Sequence, residues 1–331
     1  MKNLILQNRN KIKRIGDDLF HLLFFFLILI SASIIVVSII FIIIKGVAPF
    51  VNEYPDGLRQ DFGAFFVSSR WTYDGTGGMI FLTLTTLYVV LLSLVFSVPV
   101  SIFTSLFISR IAPKPIKIII KSAIDLLASI PSVVFGLFGM GIISPIIKNF
   151  ASIFGMQTFG GSSILSGALV IGIMSIPTIT TLSISAIDSV DQSLINGSLA
   201  LGASTAQTNT KIILKAAKSG IFAGIILGIG RALGEATAVQ MVIGNGTNGL
   251  TFYNPFAIGS TLTTAMLSGI GEASGIGYDV RFSLGIVLMV VIVVTNFILN
   301  AIKNHNKETS KLRAIIKKIQ TKIRRLNYSD K

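Results

Sequence analysis

The chain has 331 residues, 52% hydrophobic and only 13% charged, with a mean hydropathy of +0.79. Soluble domains run near a quarter charged, so this composition cannot cover a water-soluble globule. The formal charge of +14, from 28 Lys and Arg against 14 Asp and Glu, would suit a nucleic-acid binder. Joined to this hydropathy, it suits a membrane protein with basic segments at one face.

Crossing a bilayer as a helix takes about 20 apolar residues. The first such stretch is Leu22 to Ile44, 23 uncharged residues lying between Asp18 and Lys45. Ser31-Ala32-Ser33 resembles a signal-peptide cleavage site, but the apolar run continues for eleven residues beyond it, which favours an uncleaved span. The second span has its core at Met79 to Ser109, with Pro99 inside. The third runs from Ile124 to Ile147, with Asp125 near its start and Pro131 inside. The 39 residues from Asn149 to Ile187 carry no charge. Their first part, with Gly155, Gly160, Gly161, Ser162 and Ser163, reads as a loop or re-entrant turn, and Ile164 to Ile187 as the fourth span. The fifth, Gly220 to Ile243, contains Arg231 and Glu235, and the sixth is Phe282 to Ile302, ended by Lys303. The fold class read from this is an all-α integral membrane protein of six transmembrane helices.

Charge places the ends. With both termini cytoplasmic, the inner segments hold five basic residues before the first span and four in the second-to-third loop (Arg110, Lys114, Lys117, Lys121). They hold three more in the fourth-to-fifth loop (Lys211, Lys215, Lys218) and ten from Lys303 onward, 22 of the 28 in all. Five lie outside (Lys45, Arg59, Arg70, Lys148, Arg281), and Arg231 alone lies in a span. Retention of basic residues on the cytoplasmic side supports this topology. Trp71 and Tyr73, before the second span, suit either an interfacial aromatic belt or ordinary loop packing.

The spans hold few groups able to do chemistry. With no Cys and only His21 and His305, the chain offers no disulfide, no thiolate and no ordinary zinc site. No Gly is followed directly by Lys, so the phosphate-cradling loop of a nucleotide hydrolase is absent and ATP-driven work would need another chain. Arg231 and Glu235 stand four apart, sharing a face if the helix is continuous, where they would pair. Charges in a membrane span usually mark a pathway, although a pair can also simply fix helix packing. The arginine fork suits an oxyanion, with the carboxylate holding it until an anion competes. Asp125 lies near enough to a helix end for interfacial solvation.

The loop between the fourth and fifth spans, DQSLINGSLALGASTAQTNTKIILKAAK from Asp191 to Lys218, is amphipathic and broken at Gly202 and Ala203. Two short helices about a glycine turn would present a compact knob to a groove on a partner; a passive connector is the plainer alternative.

Here a family resemblance enters. RALGEATAVQMVIGN, Arg231 to Asn245, closely resembles the corresponding segment of the PstC family, the phosphate-specific ABC transporter permeases of bacteria. LLASIPSVVFGLFG (Leu126 to Gly139) and VFSVPVSIFTSLFIS (Val95 to Ser109) extend the similarity, which covers about Thr76 to Ile302. The loop resembles the coupling segment of type I ABC permeases, with its start at Asn196, Gly197 and Ser198, its glycine at Gly202 and its end at Ile212, Ile213, Leu214 and Lys215. Asn196 and Lys215 stand where that pattern has glutamate and proline.

The resemblance implies a type I ABC importer permease (MetI-like) bundle in the bacterial inner membrane, importing inorganic phosphate. It implies three partners: a second, PstA-like permease chain, a PstB-like ATPase dimer and an extracytoplasmic, PstS-like phosphate-binding protein. The chain itself would bind no cofactor, with ATP-Mg held by the ATPase, and would be no enzyme. Arg231 and Glu235 match the charged pair implicated in passing the anion. Asn196, Ser198, Gly202, Ile213, Leu214 and Lys215 match the segment that docks in the ATPase. The organisation expected is an amino-terminal portion, 1–77, a permease domain, 78–302, with its coupling loop at 190–218, and a basic tail, 303–331. Other oxyanions such as sulfate or molybdate, or the companion phosphate permease, remain alternatives in the same class. A secondary anion transporter would have only Asp125, Arg231 and Glu235 for an ion site, and a membrane scaffold would leave the knob unexplained.

In the tail, Leu312, Ile315, Ile316, Ile319, Ile323 and Leu326 recur mostly at three- and four-residue steps among seven Lys and Arg. Such a basic amphipathic helix would lie on anionic membrane lipids; a solvated tail is the alternative.

Overall fold

The computed structural model describes the backbone of residues 2–54, 59–72, 77–247 and 253–329, with side chains over 20–54, 59–72, 77–247 and 253–303. Tyr73 and the side chains of the tail lie outside the described residues. Among those described the chain is helical, with only isolated β-bridges. The helices are α1 (Lys2–Val51), α2 (Phe62–Val67), α3 (Ile80–Leu106), α4 (Lys114–Ser129), α5 (Ser132–Phe138), α6 (Ser144–Ile153) and α7 (Ile164–Asp188). They continue with α8 (Gln192–Ala200), α9 (Thr205–Gln207), α10 (Leu214–Gly234), α11 (Thr237–Val242), α12 (Leu262–Leu267) and α13 (Gly275–Ser329). Wider π turns extend α3 to Ile111, join α5 to α6 and join α9 to α10.

Six segments among the described residues are long and apolar enough to span a membrane: Phe20–Val51, Ile80–Ile111, Ser132–Ile153, Ile164–Asp188, Thr205–Gly234 and Gly275–Lys303. The count of six stands, and three of the expected spans need correction. The third is broken where Pro131 cannot donate a backbone N–H, so α4 ends at Ser129 and a new helix opens at Ser132. The fifth ends at Gly234, before Glu235, and its helical run begins earlier than expected, at Thr205. The sixth starts at Gly275, which puts Arg281 inside a helix instead of in an outer loop.

The centre of the bundle is α7, most of whose residues are buried, with α3 on one side and α10 on the other. Lipid tails are as apolar as leucine, so helices gain from each other chiefly by close approach and polar contacts. On α3, Ser93, Ser97, Ser101 and Ser105 recur every four residues and are all buried; Ser101 donates to the Ile176 carbonyl of α7 at 3.3 Å. On α10, Gly220, Gly224 and Gly228 recur at the same step, and a Cβ on any of them would meet Ala186, Leu182 or Ile179 of α7 at 3.0 Å or less. The core cluster Val89, Ile164, Ile171, Leu233, Val239 and Ile243 then ties α3, α7, α10 and α11 together.

Over its described side chains, from Phe20 on, helix α1 is attached mainly at its carboxyl end. Side chains from Phe20 to Ile40 are exposed, the surface a span presents to lipid or to another membrane chain. At Gly46 the helix crosses α13 so closely that a Cβ would lie 2.8 Å from the Phe282 carbonyl oxygen, and Ser283 donates to the Gly46 carbonyl at 2.6 Å. Beside this crossing, Lys45 pairs with buried Asp279 at 3.2 Å, and the Tyr54 hydroxyl donates to the same carboxylate at 2.7 Å. Burial, together with the bond and charge of Asp279, raises the Tyr54 phenol above its ordinary value and keeps it a donor. Replacing Asp279 by Ala leaves Lys45 and Tyr54 without their acceptor, and an expected loss of about 1–3 kcal/mol follows. Thermal unfolding of the purified chain in detergent, compared with wild type, measures it.

Nearby, Arg281 is 2% exposed, yet its guanidinium is engaged by carbonyls: Nη2 donates to Ser268 at 2.9 Å and Nη1 to Gly277. It ties the end of α12 to the start of α13.

Candidate functional site

Arg231 lies in the last turn of α10, half-buried, and Glu235 follows just past the helix end in extended backbone, φ −75° and ψ 122°. The helix break overturns the expected pairing. The two side chains form no ion pair, and each has a separate partner. Arg231 Nη1 donates to Thr178 Oγ1 of α7 at 3.4 Å. Glu235 Oε1 instead accepts from the Ala238 N–H at 3.1 Å, capping the first turn of α11, while its carbonyl accepts from buried Thr263 at 2.9 Å.

Helix electrostatics account for the separation. An arginine in the last turn of α10 faces the negative end of that helix, and a carboxylate ahead of α11 faces the positive end of the next. Glu235 also takes one of the orphan donors that a helix start leaves. Downstream, Asn245 adopts φ 50° and its amide donates to the Gln240 carbonyl at 3.0 Å, so the chain turns back after α11 instead of continuing across. Gly136, on α5, packs directly on Ala238 and Met241, so the helices that follow the two breaks support each other. Asp125 is exposed, on the α4 face away from the buried Ile124.

The loop after α7 folds as two short helices about a turn. Asp191 caps α8 by accepting from the Ser193 N–H at 2.9 Å, a bond that also lowers the pKa of this exposed carboxylate. Ser204 and Gln207 form a reciprocal capping box at α9. Between them Gly202 has φ +82°. Ser198 and Thr208 meet across the turn at 3.0 Å, and Gln192 donates to Asn196 at 3.3 Å. Asn196, Gly202 and Lys215 are exposed, Ser198 and Leu214 half-buried.

Ile213 is only 1% exposed, packed with Leu106, Ile187, Ile195, Ala217 and Ile221, so it anchors the knob to the bundle and does not face a partner. The residues that do project were not singled out from sequence: Leu194, Leu199 and, at 90% exposure, Leu201. Leucines in an otherwise small and polar loop were the available signal. Arg110 at the end of α3 steadies the base of the knob, its Nη2 donating to the Ile187 carbonyl at 2.7 Å. A cleft of about 380 Å³ opens beside it, between the end of α7, α8 and the start of α10.

A family model described as "Binding-protein-dependent transport system inner membrane component" matches residues 98–307, which include both charged residues and the knob. The chain belongs to this family of transport permeases. It is a multi-pass membrane permease subunit of a binding-protein-dependent ABC importer; such subunits are not enzymes, and the ATPase is a separate subunit. The permease is 35% identical over 256 residues to the probable ABC transporter permease protein YqgH of Bacillus subtilis, covering 76% of this chain and 79% of that one. It is 28% identical over 273 residues to the phosphate transport system permease protein PstC of Pasteurella multocida, covering 76% and 83%. Among solved structures, a chain of a bacterial alginate ABC transporter, crystallised in complex with a periplasmic protein bound to alginate pentasaccharide, matches with a TM-score of 0.55 at 18% identity, covering 83% of this permease and 94% of that chain. At that identity the likeness concerns the fold, a type I ABC importer bundle.

Proposed function

We propose that this permease conducts inorganic phosphate inward across the bacterial cytoplasmic membrane. Its complex would hold a second, PstA-like permease, a PstB-like ATPase dimer carrying ATP-Mg, and a PstS-like phosphate-binding protein on the outer side. The observation that carries the reading is a half-buried arginine at the end of a broken membrane helix, without a carboxylate partner. A guanidinium so placed keeps donors for two oxygens of a tetrahedral anion. The likeness to chains named as phosphate transport permeases supports phosphate over other oxyanions.

On this reading, closure of the ATPases moves the knob at Asn196 to Lys215, and the movement shifts a helix bundle that has outward-open and inward-open arrangements. Asn196, Ser198, Gly202 and Lys215 belong to the docking side, joined by Leu194, Leu199 and Leu201. The test is labelled phosphate uptake in cells lacking their own high-affinity system, with this chain supplied beside its partners. Uptake of phosphate that excess sulfate does not suppress supports the reading; uptake of sulfate or molybdate alone contradicts it.

A further inference from the structure

Hydroxyl side chains in membrane helices commonly bond back to a carbonyl of their own helix. Several here do so: Thr86 to Leu82 at 2.6 Å, Ser175 to Ile171 at 2.9 Å and Thr210 to Ala206 at 2.8 Å. Thr178 departs from this habit. It follows Pro177 in the middle of α7, and its Oγ1 accepts from Arg231 Nη1 at 3.4 Å. Its two neighbours along the helix, Pro177 and Ile179, are buried, as is Thr180, whereas Thr178 is half-buried, turned out of the α7 core toward the arginine. Its hydroxyl proton is therefore not consumed by the helix.

We propose that Thr178 contacts the transported anion together with Arg231 and is a specificity-determining residue of the path. This rests on the reading that the anion passes Arg231. A tetrahedral oxyanion held by the guanidinium through two oxygens leaves two more oxygens, and a hydroxyl beside the guanidinium reaches one of them. Toward phosphate the hydroxyl acts both ways, donating to a P–O oxygen or accepting from the P–OH that phosphate carries near neutral pH. The 3.4 Å bond to Arg231 is long, so exchanging it for a charge-assisted bond to the anion costs the site little.

The experiment uses the complete transporter in proteoliposomes, with phosphate-loaded binding protein and ATP, and measures labelled phosphate moved per ATP hydrolysed. The expected result for Thr178→Val is a loss of uptake per ATP on the order of tenfold, as for a lost hydrogen bond to a charged group, with stimulated ATP hydrolysis unchanged. Thr178→Ser, which keeps the hydroxyl, restores it, and Thr178→Ala behaves like the valine variant. Wild-type uptake per ATP in Thr178→Val and Thr178→Ala, beside a loss in Arg231→Ala, overturns the role of Thr178 and leaves that of Arg231 standing. Wild-type uptake in Arg231→Ala overturns the underlying reading as well. Equal impairment of the valine and serine variants assigns Thr178 to packing and also overturns the proposal.

Discussion

Replacing Arg231 with alanine is expected to lower phosphate uptake on the order of a hundredfold while the chain still assembles with its partners. Among the described residues Arg231 forms no ion pair, and its side chain makes one long hydrogen bond, to Thr178, so its removal leaves no buried carboxylate behind and costs the fold little. On the proposed function, what is lost is the charged fork that would replace water around the anion at the break in α10. Truncating one side of a desolvated, hydrogen-bonded charge pair costs about 2–5 kcal/mol, and about 3 kcal/mol corresponds to a hundredfold. Arg231→Lys keeps the charge as a point without the fork, and is expected to recover only part of the rate. Glu235→Gln separates this account from one in which the two charges form a pair. The carboxylate accepts from the Ala238 N–H, and a glutamine oxygen can accept the same bond, so near-wild-type uptake is expected. A loss as deep as that of Arg231→Ala would restore the paired reading. Uptake assays beside co-purification of the ATPase measure both.

The second large effect is expected at Gly202, where a leucine should detach or uncouple the ATPase while the permease remains in the membrane. The backbone there has φ +82°, a region in which an L side chain costs roughly 1–2 kcal/mol, but a Cβ would meet nothing within 4 Å. The penalty is thus one of conformation and not of collision, and relief comes by rearranging the turn between α8 and α9. That rearrangement moves Leu201, on the outward side of the knob, and the part-buried Ser198–Thr208 contact across the turn, and leaves the buried anchor at Ile195 and Ile213 in place. Asparagine tolerates the left-handed region, so Gly202→Asn should keep most of the coupling that Gly202→Leu loses. ATP hydrolysis stimulated by the loaded binding protein is the readout. Full stimulation in Gly202→Leu would remove the knob from the coupling path.

The spans were legible wherever an apolar run continued without interruption: Ile164 to Ile187 needed a shift of one residue at its end to become α7. The two broken helices were harder for different reasons. Pro131 announced the first break, since a proline withholds the helical donor. At Gly234 and Glu235 no proline stands, and four-residue spacing on a supposedly continuous helix predicted a pair. What breaks that helix is tertiary. Thr263, 28 residues downstream, takes the Glu235 carbonyl, and the carboxylate takes the start of α11. The expected pair failed as geometry, because four-residue spacing has meaning only on an unbroken helix. Thr178 carried a faint signal, a hydroxyl next to a proline inside an apolar span. The buried role of Arg281 carried none that composition distinguishes, because it donates to backbone carbonyls, among them those of Ser268 and Gly277.

The central claim, that the anion's path runs past the break in α10, is tested most directly at Gly234. The chain has no cysteine, and a Cβ at Gly234 would meet nothing within 4 Å, so Gly234→Cys places one thiol at the break without a clash. In the assembled transporter, with partner thiols replaced, the account predicts that a small anionic thiol reagent modifies Cys at 234, and that phosphate-loaded binding protein with ATP slows the reaction severalfold. A thiol that never reacts, or one that reacts at the same rate whether or not phosphate is being transported, would contradict it.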